Sequence, residues 1–402
     1  MNIVEFHNVD IIFGQYPTQA LTLLDQGRDR EEILAETGKV VGVAGASFDI
    51  EKGETCVLMG LSGSGKSTLL RGVNGLNKVT RGEILLEDDG NQVDVTRCSP
   101  DTLRELRMNR ISMVFQQFGL LPWRTVAENV GLGLELRGMS KTDRSKIVEE
   151  KLELVGLDQW KDKYAHELSG GMQQRVGLAR AFATDADVLL MDEPFSALDP
   201  LIRTHLQNEL LELQRTLKKT IIFVSHDLDE ALKLGTHIVI MEGGRVVQYG
   251  EPEEIVLNPA SQYVCDFVAH MNPLNVLRGS SLMTPVGEIE RQDGQLRLDW
   301  SGHSLMQVDS SGRPAGVTFE GQPGELREFA PELDLNALGE DGDVLVTASA
   351  DILMKTVIEI RHRTGRPIAL LDDGRLIGVI GDDEIYRGML RQTGIADEED
   401  AG

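Results

Sequence analysis

Cysteine is scarce in this sequence, basic side chains are outnumbered, and no apolar run is long. Each shortage excludes something. The three cysteines, Cys56, Cys98 and Cys265, are far apart and show no CxxC spacing, which argues against a disulfide framework or a zinc site and fits a reducing compartment. Lys and Arg total 40 against 65 Asp and Glu, a formal net charge of −25 at pH 7, and the sequence pI is near 4.7. Nucleic-acid affinity rests mainly on basic side chains that neutralise phosphates, so DNA and RNA are not expected partners. No window approaches the roughly 18 unbroken apolar residues of a spanning helix. The opening MNIVEFHNVD lacks the basic-then-apolar build of a signal peptide. Any membrane connection is therefore expected to come through a partner protein.

What is present is enough for two packed domains: 402 residues with a hydrophobic fraction of 41%. Apolar runs alternate with helical patterns, which predicts an α/β fold with a largely parallel sheet. Cys56–Met59, Val188–Met191 and Thr220–Ser225 read as buried strands, and Lys66–Asn74 and about Leu201–Leu217 as helices. Between Leu103 and Leu168 the pattern turns mostly helical, with amphipathic stretches at Val126–Arg137 and Arg144–Val155, and predicts an inserted helical subdomain. The first domain is expected to end near residue 270. Beyond it the periodicity weakens until a strand-helix-strand-strand-helix pattern returns between Val344 and Leu390. A second domain over 271–395 and an acidic tail over 396–402 follow.

Gly60-Leu-Ser-Gly-Ser-Gly-Lys66-Ser67-Thr68 matches G-x-x-x-x-G-K-[ST] between a strand and a helix. Its glycines, Gly60, Gly63 and Gly65, let the backbone N–H groups of the loop, with those of Ser62 and Ser64, turn inward. The helix N-terminus adds its positive dipole end. Lys66 reaches the β- and γ-phosphates and Ser67 can ligate Mg²⁺. A nucleoside triphosphate is the expected ligand. Further on, four apolar residues run into Asp192-Glu193 and deliver two carboxylates to a strand end. Asp192 is placed for the Mg²⁺ shell and Glu193 to polarise the water attacking the γ-phosphate.

Leu168-Ser169-Gly170-Gly171-Met172-Gln173-Gln174-Arg175 resembles the signature motif of the ABC ATPase family. Ser169, Gly170 and Gly171 open a helix and form a second phosphate-binding N-terminus. In that family the signature of one subunit closes over the phosphate loop of the other, so the resemblance implies a homodimer with two shared sites. Met172 departs from the commonest family signature, which has glutamine there. The resemblance also implies roles for Gln116 in Val114-Phe-Gln-Gln117, as a catalytic and Mg²⁺-contacting glutamine, and for Asp199 in Ser196-Ala-Leu-Asp199 at the nucleotide. His226 in Val224-Ser-His-Asp227 becomes the switch histidine, and Phe13 the aromatic that stacks on adenine. The other histidines, His7, His166 and His303 among them, read as surface or packing residues. An ABC ATPase acting on DNA or ribosomes is disfavoured by the single uninterrupted cassette and the negative charge.

Within the family the chain is similar to the ATPases of glycine betaine, proline and choline importers. Three stretches carry this: the insertion from Gly14 to Val43, the loop Met59–Lys66, and Phe195–Arg203 with Ser225–Ala231. The resemblance implies transmembrane permease subunits and a periplasmic or extracellular substrate-binding protein as partners, at the cytoplasmic face of the plasma membrane. The catalytic motifs do not separate importer from exporter; the insertion and the C-terminal region point to import. Met283–Leu390 resembles the paired CBS modules of those importers in degenerate form. It implies a regulatory or dimer-bracing role, with the run Asp397-Glu-Glu-Asp400 a candidate sensor of ionic strength.

Overall fold

The computed structural model describes residues 1–269, 273–299, 302–330 and 343–390. The chain divides into two compact units, one of Met1–Ile255 with Pro259–Val264, the other of Val256–Asn258 with Cys265 onward.

The first unit holds strands β1 (Asn2–Phe13), β2 (Val40–Glu51), β3 (Thr55–Met59), β4 (Arg81–Asp88), β5 (Asn91–Asp94) and β6 (Ile111–Val114). After a helical stretch come β7 (Val188–Asp192), β8 (Thr220–Val224), β9 (His237–Glu242) and β10 (Arg245–Gly250). They form an antiparallel sheet in the order β2-β1-β4-β5 and a six-stranded sheet in the order β10-β9-β3-β8-β7-β6. The second is parallel apart from the β9–β10 pairing. Every residue of β3, β7 and β8 is buried. A strand covered on both faces has no polar side to show, which is why these read as unbroken apolar runs.

The helices of this region are α1 (Thr18–Asp25), α2 (Arg30–Thr37), α3 (Lys66–Val73), α4 (Pro100–Asn109), α5 (Val126–Val130), α6 (Leu132–Leu136) and α7 (Lys141–Leu154). They continue with α8 (Gly170–Ala183), α9 (Pro200–Leu217) and α10 (Leu228–Leu234), while the residues of α11 (Pro252–Leu257) and α12 (Gln262–Val268) are divided between the two units. The span read as helical contains a strand: Ile111–Val114 joins the edge of the six-stranded sheet beside β7. Four residues between helical patterns carry too little periodicity to show it. The amphipathic stretch Val126–Arg137 is two short helices that meet at Gly131. The insertion after β1 is a helical hairpin, α1–α2, with its own core of Ile12, Ala20, Leu23, Leu24, Ile33, Val41 and Ala44.

The second unit contains β11 (Thr284–Pro285), β12 (Arg291–Gln292), β13 (Gln295–Arg297), β14 (Ser304–Val308), β15 (Pro314–Phe319), β16 (Gln322–Glu328), β17 (Val344–Ser349), β18 (Ile368–Asp372) and β19 (Arg375–Ile380), with helices α13 (Gly279–Leu282), α14 (Met354–Thr364) and α15 (Asp382–Leu390). From Val344 onward the order β17-α14-β18-β19-α15 is the predicted strand-helix-strand-strand-helix. The stretch before it is built differently. Strands β12 to β16 pair each with the next as an antiparallel meander. Among the described residues no helix interrupts it, so this half does not repeat the pattern of the other. The acidic run Asp397–Asp400 lies outside the described residues. Among those described, no helix is long and apolar enough to cross a membrane.

Candidate nucleotide site

Gly60–Ser64 bridges the C-terminal end of β3 and the N-terminus of α3, with Gly65 as the α3 N-cap. Its shape depends on two glycines. A Cβ on Gly60, at φ +136°, would lie 2.1 Å from the carbonyl oxygen of Met241, and one on Gly65, at φ +102°, 2.3 Å from that of Gly42. Both neighbours are backbone and cannot step aside. Lys66 is buried and its Nζ donates to the carbonyls of Gly60 and Leu61, both at 2.8 Å. Burial pulls its pKa below the usual lysine value, opposed in part by the carboxylates of Glu193 and Asp192. An ammonium held on its own loop, short of solvent and facing two acids, is poised for a polyanion.

Asp192 ends β7 with no exposed surface. Two residues one turn apart on α3 take its two oxygens: Ser67 Oγ donates to Oδ1 at 2.7 Å and Arg71 Nη2 to Oδ2 at 2.8 Å. The buried charge is thus paired and hydrogen-bonded, and the Ser67 and Asp192 oxygens are hard donors of the kind that could contribute to a magnesium shell. Arg71 carried no sequence signal beyond its i, i+4 spacing from Ser67.

Glu193 follows at φ +49°, a strained conformation for a residue with a Cβ. Its neighbours hold it there. Its N–H donates to the Val224 carbonyl at 3.2 Å, and its own carbonyl accepts from Gln174 Nε2 and Ser196 Oγ, both at 3.1 Å. The Glu193 carboxylate stands 3.8 Å from Nδ1 of His226, whose side chain is 66% exposed. A cavity of about 20 Å³ lies beside them, lined by Glu193, Ser196, Ser225 and His226 among others, about the room one water needs.

The remaining expected residues are more dispersed. Phe13, 44% exposed at the end of β1, and Thr68 both stand close to Gly42: a Cβ on Gly42 would meet Phe13 at 2.8 Å and Thr68 at 2.9 Å. Ser169 caps α8 by accepting from the Met172 N–H at 3.4 Å. Gly170 and Gly171 form the first turn, and a Cβ on Gly171 would lie 3.0 Å from the Ala197 carbonyl oxygen. Asp199 caps α9, its carboxylate accepting from the Ile202 N–H at 3.1 Å. Gln116 is exposed just after β6. Gln174, within the signature stretch, is 1% exposed. Besides holding the Glu193 carbonyl it accepts from the Ala197 N–H at 3.0 Å. It thereby ties α8 to the loop after β7.

Residues 43–196 match the family described as ABC transporter. The chain is 43% identical over 387 residues to the glycine betaine/carnitine transport ATP-binding protein GbuA of Listeria monocytogenes, covering 94% of this chain and 96% of that one. It is 40% identical over 398 residues to the glycine betaine transport ATP-binding protein OpuAA of Bacillus subtilis, covering 95% and 93%. The chain belongs to the ABC transporter ATPases. A dimeric ABC cassette captured after hydrolysis with ADP and phosphate bound has the same fold, with a TM-score of 0.54 and 30% identity over 62% of this chain and 99% of that one.

For an ABC ATPase with this loop, Gly65→Ala is expected to weaken ATP binding by at least about a hundredfold. The methyl cannot fit against the Gly42 carbonyl without moving the loop. Titration of the folded variant with a fluorescent nucleotide checks this, and affinity within a few-fold of wild type would contradict it.

Proposed function

We propose that this chain energises uptake of a quaternary amine, such as glycine betaine, proline betaine or choline, through a separate permease. It works as a homodimer at the cytoplasmic face of the plasma membrane, and the amine reaches the permease from a periplasmic or extracellular binding protein. The observation that carries this reading is the near end-to-end match to relatives of that transport class, through the α1–α2 hairpin and into the second unit. The amine itself never touches this chain. The second unit braces or regulates the dimer.

In this reading ATP lies on the backbone N–H groups of Gly60–Thr68 with Phe13 against its base, and Lys66 reaches its phosphates. Ser67, Asp192 and Gln116 would hold Mg²⁺, which supplies charge neutralisation of the phosphates when bound. Ser169, Gly170 and Gly171 of the partner subunit close the site, with Asp199 at the same junction. Glu193 orients the attacking water and His226 supports its in-line placement. ATP thus draws the subunits together and hydrolysis releases them, and that closure drives the permease.

The test is purification of the tagged chain from membranes, followed by reconstitution of what comes with it. A permease and ATP-dependent uptake of labelled glycine betaine or choline are expected. Recovery without any membrane protein, or uptake of none of these amines, would overturn the proposal.

A further inference from the structure

The α1–α2 hairpin needs a reason to exist, because sheet pairing does not require it. β1 and β2 are antiparallel neighbours paired from Phe13 with Val40, and a turn of a few residues would join them. The chain instead runs through Gly14–Lys39. An isolated eight-residue helix is marginal, yet several contacts fix this hairpin. Ile33 is fully buried, and Asp29 and Glu32 form a capping box at the start of α2. Arg81 bridges Asp10 of β1, at 2.6 Å, to Asp25 of α1, at 2.8 Å.

This anchored element presents Arg30, the first residue of α2, to the phosphate loop. Arg30 Nη1 donates to the Gly63 carbonyl at 2.9 Å. Gly63 sits at φ +78° with open space where a side chain would be, so no packing holds the loop from that side. Among the described residues Arg30 forms no ion pair, and its charge stands beside a loop built for phosphates.

We propose that the hairpin is a brace on the phosphate loop and that Arg30 is a positioning residue for the nucleotide. The inference rests on the ATP-site reading and adds a part to it. A trans peptide points its C=O and N–H in opposite directions. Holding the Gly63 carbonyl outward therefore orients the Ser64 N–H, which closes the loop's turn by donating to the Leu61 carbonyl at 3.1 Å. A loop already curled loses less freedom when phosphate arrives. The brace thus acts on affinity and leaves the hydrolytic step to Glu193.

The test uses the full-length chain with Arg30→Ala and Arg30→Lys, titrated with MgADP and with a non-hydrolysable MgATP analogue, alongside steady-state ATPase kinetics. Arg30→Ala is expected to weaken both nucleotides by a similar three- to tenfold, the size of one lost hydrogen bond. The KM for ATP should rise likewise, with kcat within twofold of wild type. Arg30→Lys keeps a donor and should recover most of the affinity, and if the alanine variant does not fold, Arg30→Met, which keeps the apolar stem and removes the donors, takes its place. Unchanged affinity in folded Arg30→Ala would overturn the brace. So would a loss confined to the MgATP analogue, which would mean direct contact with the γ-phosphate, or an Arg30→Lys variant that folds normally and binds as weakly as alanine. A wild-type chain that binds neither nucleotide would instead refute the nucleotide site itself.

Discussion

Glu193→Gln is expected to keep MgATP binding while slowing hydrolysis by two or more orders of magnitude, about 2.7 kcal/mol or more in the barrier. The substitution leaves the shape and hydrogen-bonding reach of the side chain nearly intact and removes the negative oxygen proposed to polarise water. The backbone at φ +49° is held from outside by Gln174, Ser196 and Val224, so the amide should occupy the carboxylate's place. His226, at 3.8 Å and mostly exposed, is not positioned to replace it. With binding intact and hydrolysis stalled, a closed ATP-bound dimer should accumulate, visible as a shift in size-exclusion chromatography. A near wild-type turnover in the presence of the permease would show that another group activates the water.

A pair of lesions on opposite motifs gives the second large effect. Ser169→Arg removes the α8 cap and sets a bulky side chain on the exposed surface proposed to close over the partner's phosphate loop, and Lys66→Ala removes the ammonium of the phosphate loop. Each variant alone should lose nearly all ATPase activity as a homodimer. The Ser169 cap is worth about 1 kcal/mol, while α8 is held by buried Val176, Leu178 and Ala179, so that subunit should still fold. In a heterodimer of the two, one shared site carries both lesions and the other carries neither. One tightly bound MgATP per heterodimer, with ATPase far below half of wild type, is the expected result by equilibrium dialysis and phosphate release. A heterodimer that binds no nucleotide would contradict sites shared between subunits. Full activity from the single intact site would show that the two sites are not coupled.

How much of this was legible beforehand depended on how local the chemistry is. The phosphate loop could be read because Gly60, Gly65, Lys66 and Ser67 lie within eight positions and their backbone demands follow from a strand meeting a helix. Asp192-Glu193 stood out only in company: an apolar run ending in two acids is by itself as readily an ordinary strand end, and the phosphate loop upstream is what singled it out. Strand β6 could not be read, since its four residues become a strand only by pairing with β7, seventy-odd positions away. The meander β12–β16 was equally obscure, because short half-exposed strands show no clean alternation.

By itself, then, the sequence determined the nucleotide chemistry, the α/β order of the cassette and the membership of the family, since each rests on residue types at fixed short spacings. Tertiary structure decided which groups hold those residues in place. Arg71 meets Asp192 across 121 positions, Gln174 meets the Glu193 carbonyl across 19, and Arg30 meets the Gly63 carbonyl across 33. Two of these three contacts end on backbone carbonyls, which every residue carries. No residue type marks such an acceptor in a sequence, and only the folded chain brings the donor to it.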